Sequence, residues 1–133
     1  MRALTENCMD SVLDSMVVTV LFLVAAIVVG RRLERTTKPY GHAILMTHIA
    51  LFALIAGGII ASIYKLNSVT EGKFFSTISL YVAALTLLGN LTIGTTMAIA
   101  RKKYRTLITV HKLSTSLMAI SILSGIALMA LRL

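Results

Sequence analysis

Four long runs without a charged side chain restrict what this chain can fold into. They cover 15–30, 39–64, 74–100 and 106–131, the last broken only by Lys112. An α-helix rises about 1.5 Å per residue, and a hydrocarbon layer about 30 Å thick takes roughly 20 residues to cross. Lipid offers no partner to a peptide group, so a run of this kind must bond to itself as a helix. The first run has 16 residues, or roughly 24 Å. It spans only if Val12 and Leu13 join it, so its helix is expected to begin near residue 11. Pro39 suits a first-turn position, where its missing N–H costs nothing. The predicted helices are about 11–30, 40–64, 74–100 and 106–131. Short connections between them imply antiparallel neighbours, and therefore an all-α, up-down four-helix membrane bundle in one transmembrane domain, 1–133.

Hydrophobic residues make up 57% of the chain and charged residues 14%, against about 25% charged in an ordinary soluble protein. The net charge of +8 would suggest nucleic acid in a soluble chain, but here the basic residues cap apolar runs. An anionic lipid surface is the simpler partner, and no nucleic acid is expected. Arg31, Arg32, Arg35, Lys38, Arg101, Lys102, Lys103, Arg105 and Lys112 fall on one side with Glu34 alone, so that side nets +8. Arg2, Lys65, Lys73 and Arg132 balance Glu6, Asp10, Asp14 and Glu71 on the other. Basic loops stay in the cytoplasm, which places both termini outside a multi-pass protein of the cytoplasmic membrane. Cys8 is alone and supports neither a disulfide nor a multi-cysteine metal site. Acidic residues precede the first apolar run, unlike the basic start of a cleaved signal, so that span is expected to be retained.

All three histidines lie on helices two and four, near the basic side. His48 is roughly 12 Å along helix two and His111 roughly 8 Å along helix four, so their depths nearly match. His42 is turned about 120° away from His48 and sits at the interface. One histidine this close to water is explained by a headgroup or a neighbouring carbonyl. Two at matched depth on neighbouring parallel helices are what a bis-histidine haem requires, one ligand on each face of the porphyrin. Lys38, Arg101, Arg105 and Lys112 stand ready for its propionates. Ser114 and Thr115 beside His111, with Gly89, Gly94 and Gly125, give the small side chains that close packing or a macrocycle needs. A zinc or copper site has only Met46, Met97 and Met118 nearby as soft ligands and no carboxylate at that depth. The methionines read as apolar fillers.

Thr86, Asn90 and Gly94 recur every four residues on one face of helix three. Inter-helix hydrogen bonding and close packing explain them best, with a quinone-head or haem-edge role for Asn90 and His42 as the functional alternative. Gly57 and Gly58 mark a close helix crossing. Asp10 and Asp14 share a face at a helix start, where the dipole favours them. No hydrolase or nucleotide-binding motif is present.

The pattern Arg31, Arg32, His42, Met46 and His48 on helix two, with His111 and Lys112 heading helix four, resembles the transmembrane cytochrome b-561 superfamily. Histidines on alternate helices of a four-helix core hold b-type haem there. Helices one and three have no histidine here, so the resemblance implies one haem b rather than two. The chain is also similar to uncharacterised four-span proteins associated with haem-copper oxidase biogenesis. The expected function is a membrane electron-transfer subunit with His48 and His111 as axial ligands to the haem iron. It would pass electrons between a quinol or membrane partner and a redox protein, alone as a homo-oligomer or with other membrane or redox subunits. A cofactor-free structural or assembly subunit of a respiratory complex is the alternative. A small multidrug transporter fits less well, because 15–30 contains no glutamate.

Overall fold

A computed structural model describes residues 2–36, 40–67, 74–100 and 105–131, with side chains from Asp10 onward. The described residues form four helices: α1 (Arg2–Arg35), α2 (His42–Asn67), α3 (Phe74–Ile99) and α4 (Arg105–Ala130). Each contains a 26-residue stretch long and apolar enough to cross a membrane. At roughly 39 Å these stretches exceed the hydrocarbon thickness and are long enough to span it with some tilt. The helix of the first span extends past the expected start near residue 11 to Arg2, because nothing in 2–10 breaks a helix. Pro39, expected in the first turn of helix two, lies outside the described residues, and α2 begins at His42.

Residue pairs fix the direction of each neighbour. Lys65 of α2 donates to Ser11 Oγ at 2.9 Å and Ser15 Oγ at 3.0 Å. Gly58 packs on Thr19, and Gly30 on His48. As numbers rise in α1 they fall in α2, so the pair is antiparallel. Ser79 with Gly125, Thr86 with Ser114 and Gly94 with His111 give the same result for α3 and α4. The closest pairings are α1 with α2 and α3 with α4, while the α2/α3 and α1/α4 seams are sparser. Among the described residues α2 and α4 make no backbone contact, so they are diagonal. The sequence predicts them to be neighbours; the cyclic order α1, α2, α3, α4 instead places them across the bundle axis.

Buried residues recur at three- and four-residue intervals, as a left-handed bundle requires. On α1 these are Val12, Met16, Thr19, Leu23 and Ala26; on α2, Phe52, Ile55, Ile59, Ser62 and Leu66. Large apolar side chains such as Leu21, Leu85 and Leu113 point outward. That arrangement suits lipid and would be costly in water. Many outward Ser and Thr hydroxyls, including Thr47, Thr92 and Thr95, donate to the carbonyl four residues back. Their polar groups are thereby satisfied within the helix itself.

Burial is uneven along the bundle. The buried residues of α2, α3 and α4 fall within 52–66, 76–90 and 118–129. All of that is toward the end where α1 begins and α4 finishes. Toward the opposite, basic end only Leu33 of α1 is buried among the described residues. The tight half therefore acts as a clamp, and the helices part above it.

Candidate functional site

The parting of the helices leaves a cavity of about 590 Å³, lined by all four of them. This is within the range of about 300–1,000 Å³ usual for small-molecule and cofactor sites. Its walls are mostly small or apolar: Ala26 and Gly30 of α1, Leu45 and Phe52 of α2, Gly94, Met97 and Ala98 of α3, and Ala119 of α4. His48 and His111 project into it from the diagonal helices. Arg31, Glu34, Tyr40 and Lys112 stand at its basic end.

The two imidazoles face each other with ring centroids 6.4 Å apart and planes inclined at 61°. Phe52, one turn beyond His48, packs against both rings, at 5.0 Å from His48 and 6.2 Å from His111. The Nδ1 atoms of His48 and His111 are buried and have no hydrogen-bond partner among the described residues. Buried polar atoms are ordinarily paired, so two orphans on facing rings are unusual. Backbone approach makes room for both rings. A side chain at Gly30 would begin 3.1 Å from His48 Cε1, and one at Gly94 would begin 3.7 Å from His111 Cε1.

The rim carries mixed charge. Lys112 Nζ donates to Glu34 Oε1 at 2.7 Å, joining α4 to α1 across a sparse seam. Arg31 completes a rim of two cations and one anion among the described residues. Partial burial raises the Tyr40 phenol above its usual pKa, so it remains a hydroxyl at neutral pH.

Of the residues expected at a haem, His48, His111 and Lys112 are brought together. Arg105 is exposed at the head of α4 and does not line the cavity. Lys38 and Arg101 lie outside the described residues. His42 is exposed at the start of α2, whereas Asn90 is buried within α3 beneath the cavity; the two do not meet. Asn90 Oδ1 and Thr115 Oγ1 are 3.2 Å apart, and Ser114 Oγ donates to the Thr86 carbonyl at 3.1 Å. The polar face of helix three thus meets the small hydroxyls of helix four, as its four-residue spacing suggests. Gly58 lies so close to Thr19 that a Cβ there would overlap Oγ1, whereas Gly57 has open space beside it.

Gly30, Arg31, Glu34, Tyr40 and Phe52 escaped the sequence reading as site residues. Phe52 was detectable, being four residues after His48 and so on its face. Gly30 had no such signal, because the partner of α1 at that level depends on the crossing geometry. Among the described residues no three His, Cys, Asp or Glu side chains gather to hold a metal ion. No protein-family model, curated protein or solved structure matches the chain.

Proposed function

We propose that this chain is a membrane electron-transfer subunit holding one b-type haem between His48 and His111. The observation that carries the reading is the facing pair of imidazoles at 6.4 Å over the cavity. Both imidazoles reach the same cavity from opposite helices, so one group bound between them could be held by both. The donor set suits the group as well. Both rings are histidines on rigid helices, each with an unpartnered Nδ1 among the described residues, in a setting where small side chains leave width between helices. A bound haem supplies reversible one-electron exchange at its iron.

The protein's own residues would do the rest. His48 and His111 would hold the group, while Phe52, Leu45 and Ala119 keep water from the interior. Arg31, Tyr40 and Lys112 would meet carboxylates at the mouth, with Glu34 yielding Lys112. By the positive-inside rule the basic end faces the cytoplasm and the cavity opens on that side. The redox partner is then reached from the cytoplasmic face or through the membrane, where a quinol is the natural small donor.

Purification after haem-replete expression and a reduced-minus-oxidised visible spectrum test this. A Soret band and a reducible b-type spectrum are expected, lost together in the His48→Ala, His111→Ala double variant. A colourless protein, or a band that persists in the double variant, overturns the reading and leaves a cofactor-free subunit.

A further inference from the structure

Asn90 is 1% exposed, and its Nδ2 atom has no partner among the described residues. Its Oδ1 lies 3.2 Å from Thr115 Oγ1, while that same hydroxyl is 2.8 Å from the His111 carbonyl. A threonine hydroxyl has one proton and two lone pairs. It cannot donate to both oxygens. The shorter contact takes the proton, so Thr115 donates to the His111 carbonyl and is left with only lone pairs toward Asn90. Two acceptors facing at 3.2 Å gain nothing, and a buried amide N–H₂ left unpaired beside them costs more. Turning the amide over removes both faults: Nδ2 then donates to Thr115 Oγ1, and Oδ1 takes the unpartnered position.

The second orphan lies one turn away. His111 and Thr115 share a face of α4, and Gly94 and Asn90 share the face of α3 that meets it. His111 Nδ1 is buried and without a partner among the described residues. At the point where a Gly94 side chain would begin, the one neighbouring atom within 4 Å among the described residues, outside its own stretch of helix, is His111 Cε1. His111 stands one helical turn, about 5.4 Å of rise, from Thr115 and the Asn90 amide beside it, a step that one bridging water can cover. The cavity reaches His111 and Thr115, and buried waters gather where two or more polar groups lack partners.

We infer that Asn90 is a positioning residue for His111, its carbonyl accepting the Nδ1 proton through one buried water and its amide held in that sense by Thr115. The ring is then locked as the Nδ1–H tautomer, with Nε2 carrying a bare lone pair. The consequence for a ligated metal rests on the haem reading above; the tautomer itself does not. A ligating histidine commonly has its second nitrogen fixed by such a bond, which sets both orientation and basicity.

The test uses full-length protein in lipid nanodiscs without haem, labelled with ¹⁵N-histidine, at alkaline pH where the rings are neutral. Long-range proton–nitrogen correlation spectra distinguish the two tautomers. In the wild type the His111 signal, assigned by its absence from His111→Gln, is expected in the Nδ1–H form. Asn90→Leu is expected to abolish that majority. Thr115→Val, nearly isosteric and able to fold where Asn90→Leu fails, is expected to weaken it by freeing the amide to turn. Asn90→Asp, a stronger acceptor, is expected to retain it. A wild-type ring in the Nε2–H form, or a tautomer unchanged in both Asn90→Leu and Thr115→Val, overturns the inference. A haem spectrum recorded on the same preparations separates the two readings. Tautomer control in a protein that never takes up haem sinks only the haem, and a normal haem spectrum with an indifferent tautomer sinks only the role of Asn90.

Discussion

At the scale of single residues, the site is made by what is missing as much as by what is present. Gly30 has no side chain where one would begin 3.1 Å from His48 Cε1, a spacing at which the ring must give by a few tenths of an ångström. Gly30→Ala should therefore be tolerated, whereas Gly30→Val should push the His48 ring aside. Forcing such a branched group into a packed site costs about 1–3 kcal/mol. If His48 is an axial ligand, that predicts roughly a tenfold or greater loss of haem per protein in Gly30→Val, measured by Soret absorbance against protein concentration. Equal haem content in the two variants would count against His48. Asn90, Thr86 and Gly94 were visible in the sequence as a four-residue stripe, because helical periodicity alone places them on one face. Gly30 was invisible, since its importance comes from another helix.

The elements form two tight hairpins, α1/α2 and α3/α4, joined along sparser seams. The first hairpin closes at Gly58, where a Cβ would overlap Thr19 Oγ1. Gly58→Ala is expected to destabilise the bundle by about 1–3 kcal/mol, and Thr19→Ala in the same chain should recover part of it. Unfolding in detergent measures both, and an additive double variant would argue that the two sites do not touch. Gly57→Ala, in open space, is the matched control and should be close to neutral. The α1/α4 seam carries the Glu34–Lys112 pair, whose side chains are 39% and 59% exposed. Exposed pairs contribute about 0–1 kcal/mol. Glu34→Gln should leave unfolding almost unchanged while freeing Lys112 at the cavity mouth. Tighter binding of an anionic porphyrin in that variant, read by fluorescence quenching titration, is the expected result; a large loss of stability would show that the pair holds the seam. The helices themselves were legible from the length of the uncharged runs. Their pairing strengths were not, because apolar residues surround every helix and no apolar stripe marks the inner face.

For the whole molecule, the uneven burial separates a packed half from an open one, and the excess positive charge sits at the open end. If that end is cytoplasmic, a reporter active only outside the cytoplasm should work when fused after Leu133 and fail when inserted in 101–104. The reverse pattern would invert the topology and move the cavity mouth to the other face. Matched histidine depth could be counted in the sequence, since helical rise is constant and both helices start from the same side. That count puts two rings at one level. It says nothing about whether they face each other.

The chain by itself determined its four spans, their alternation and the gathering of charge and histidine at one end, because these follow from composition and helical rise along a line. Tertiary structure decided that α2 and α4 are diagonal, that Gly30 and Gly94 make room for the rings, and that packing stops short of the histidines to leave a cavity. The reason is physical. In lipid both faces of a helix are apolar, so hydrophobicity fixes the span but not its rotation. Rotation and partner are set instead by close approach at small residues such as Gly58 and by polar contacts such as Thr115 with Asn90, which exist only once the helices meet.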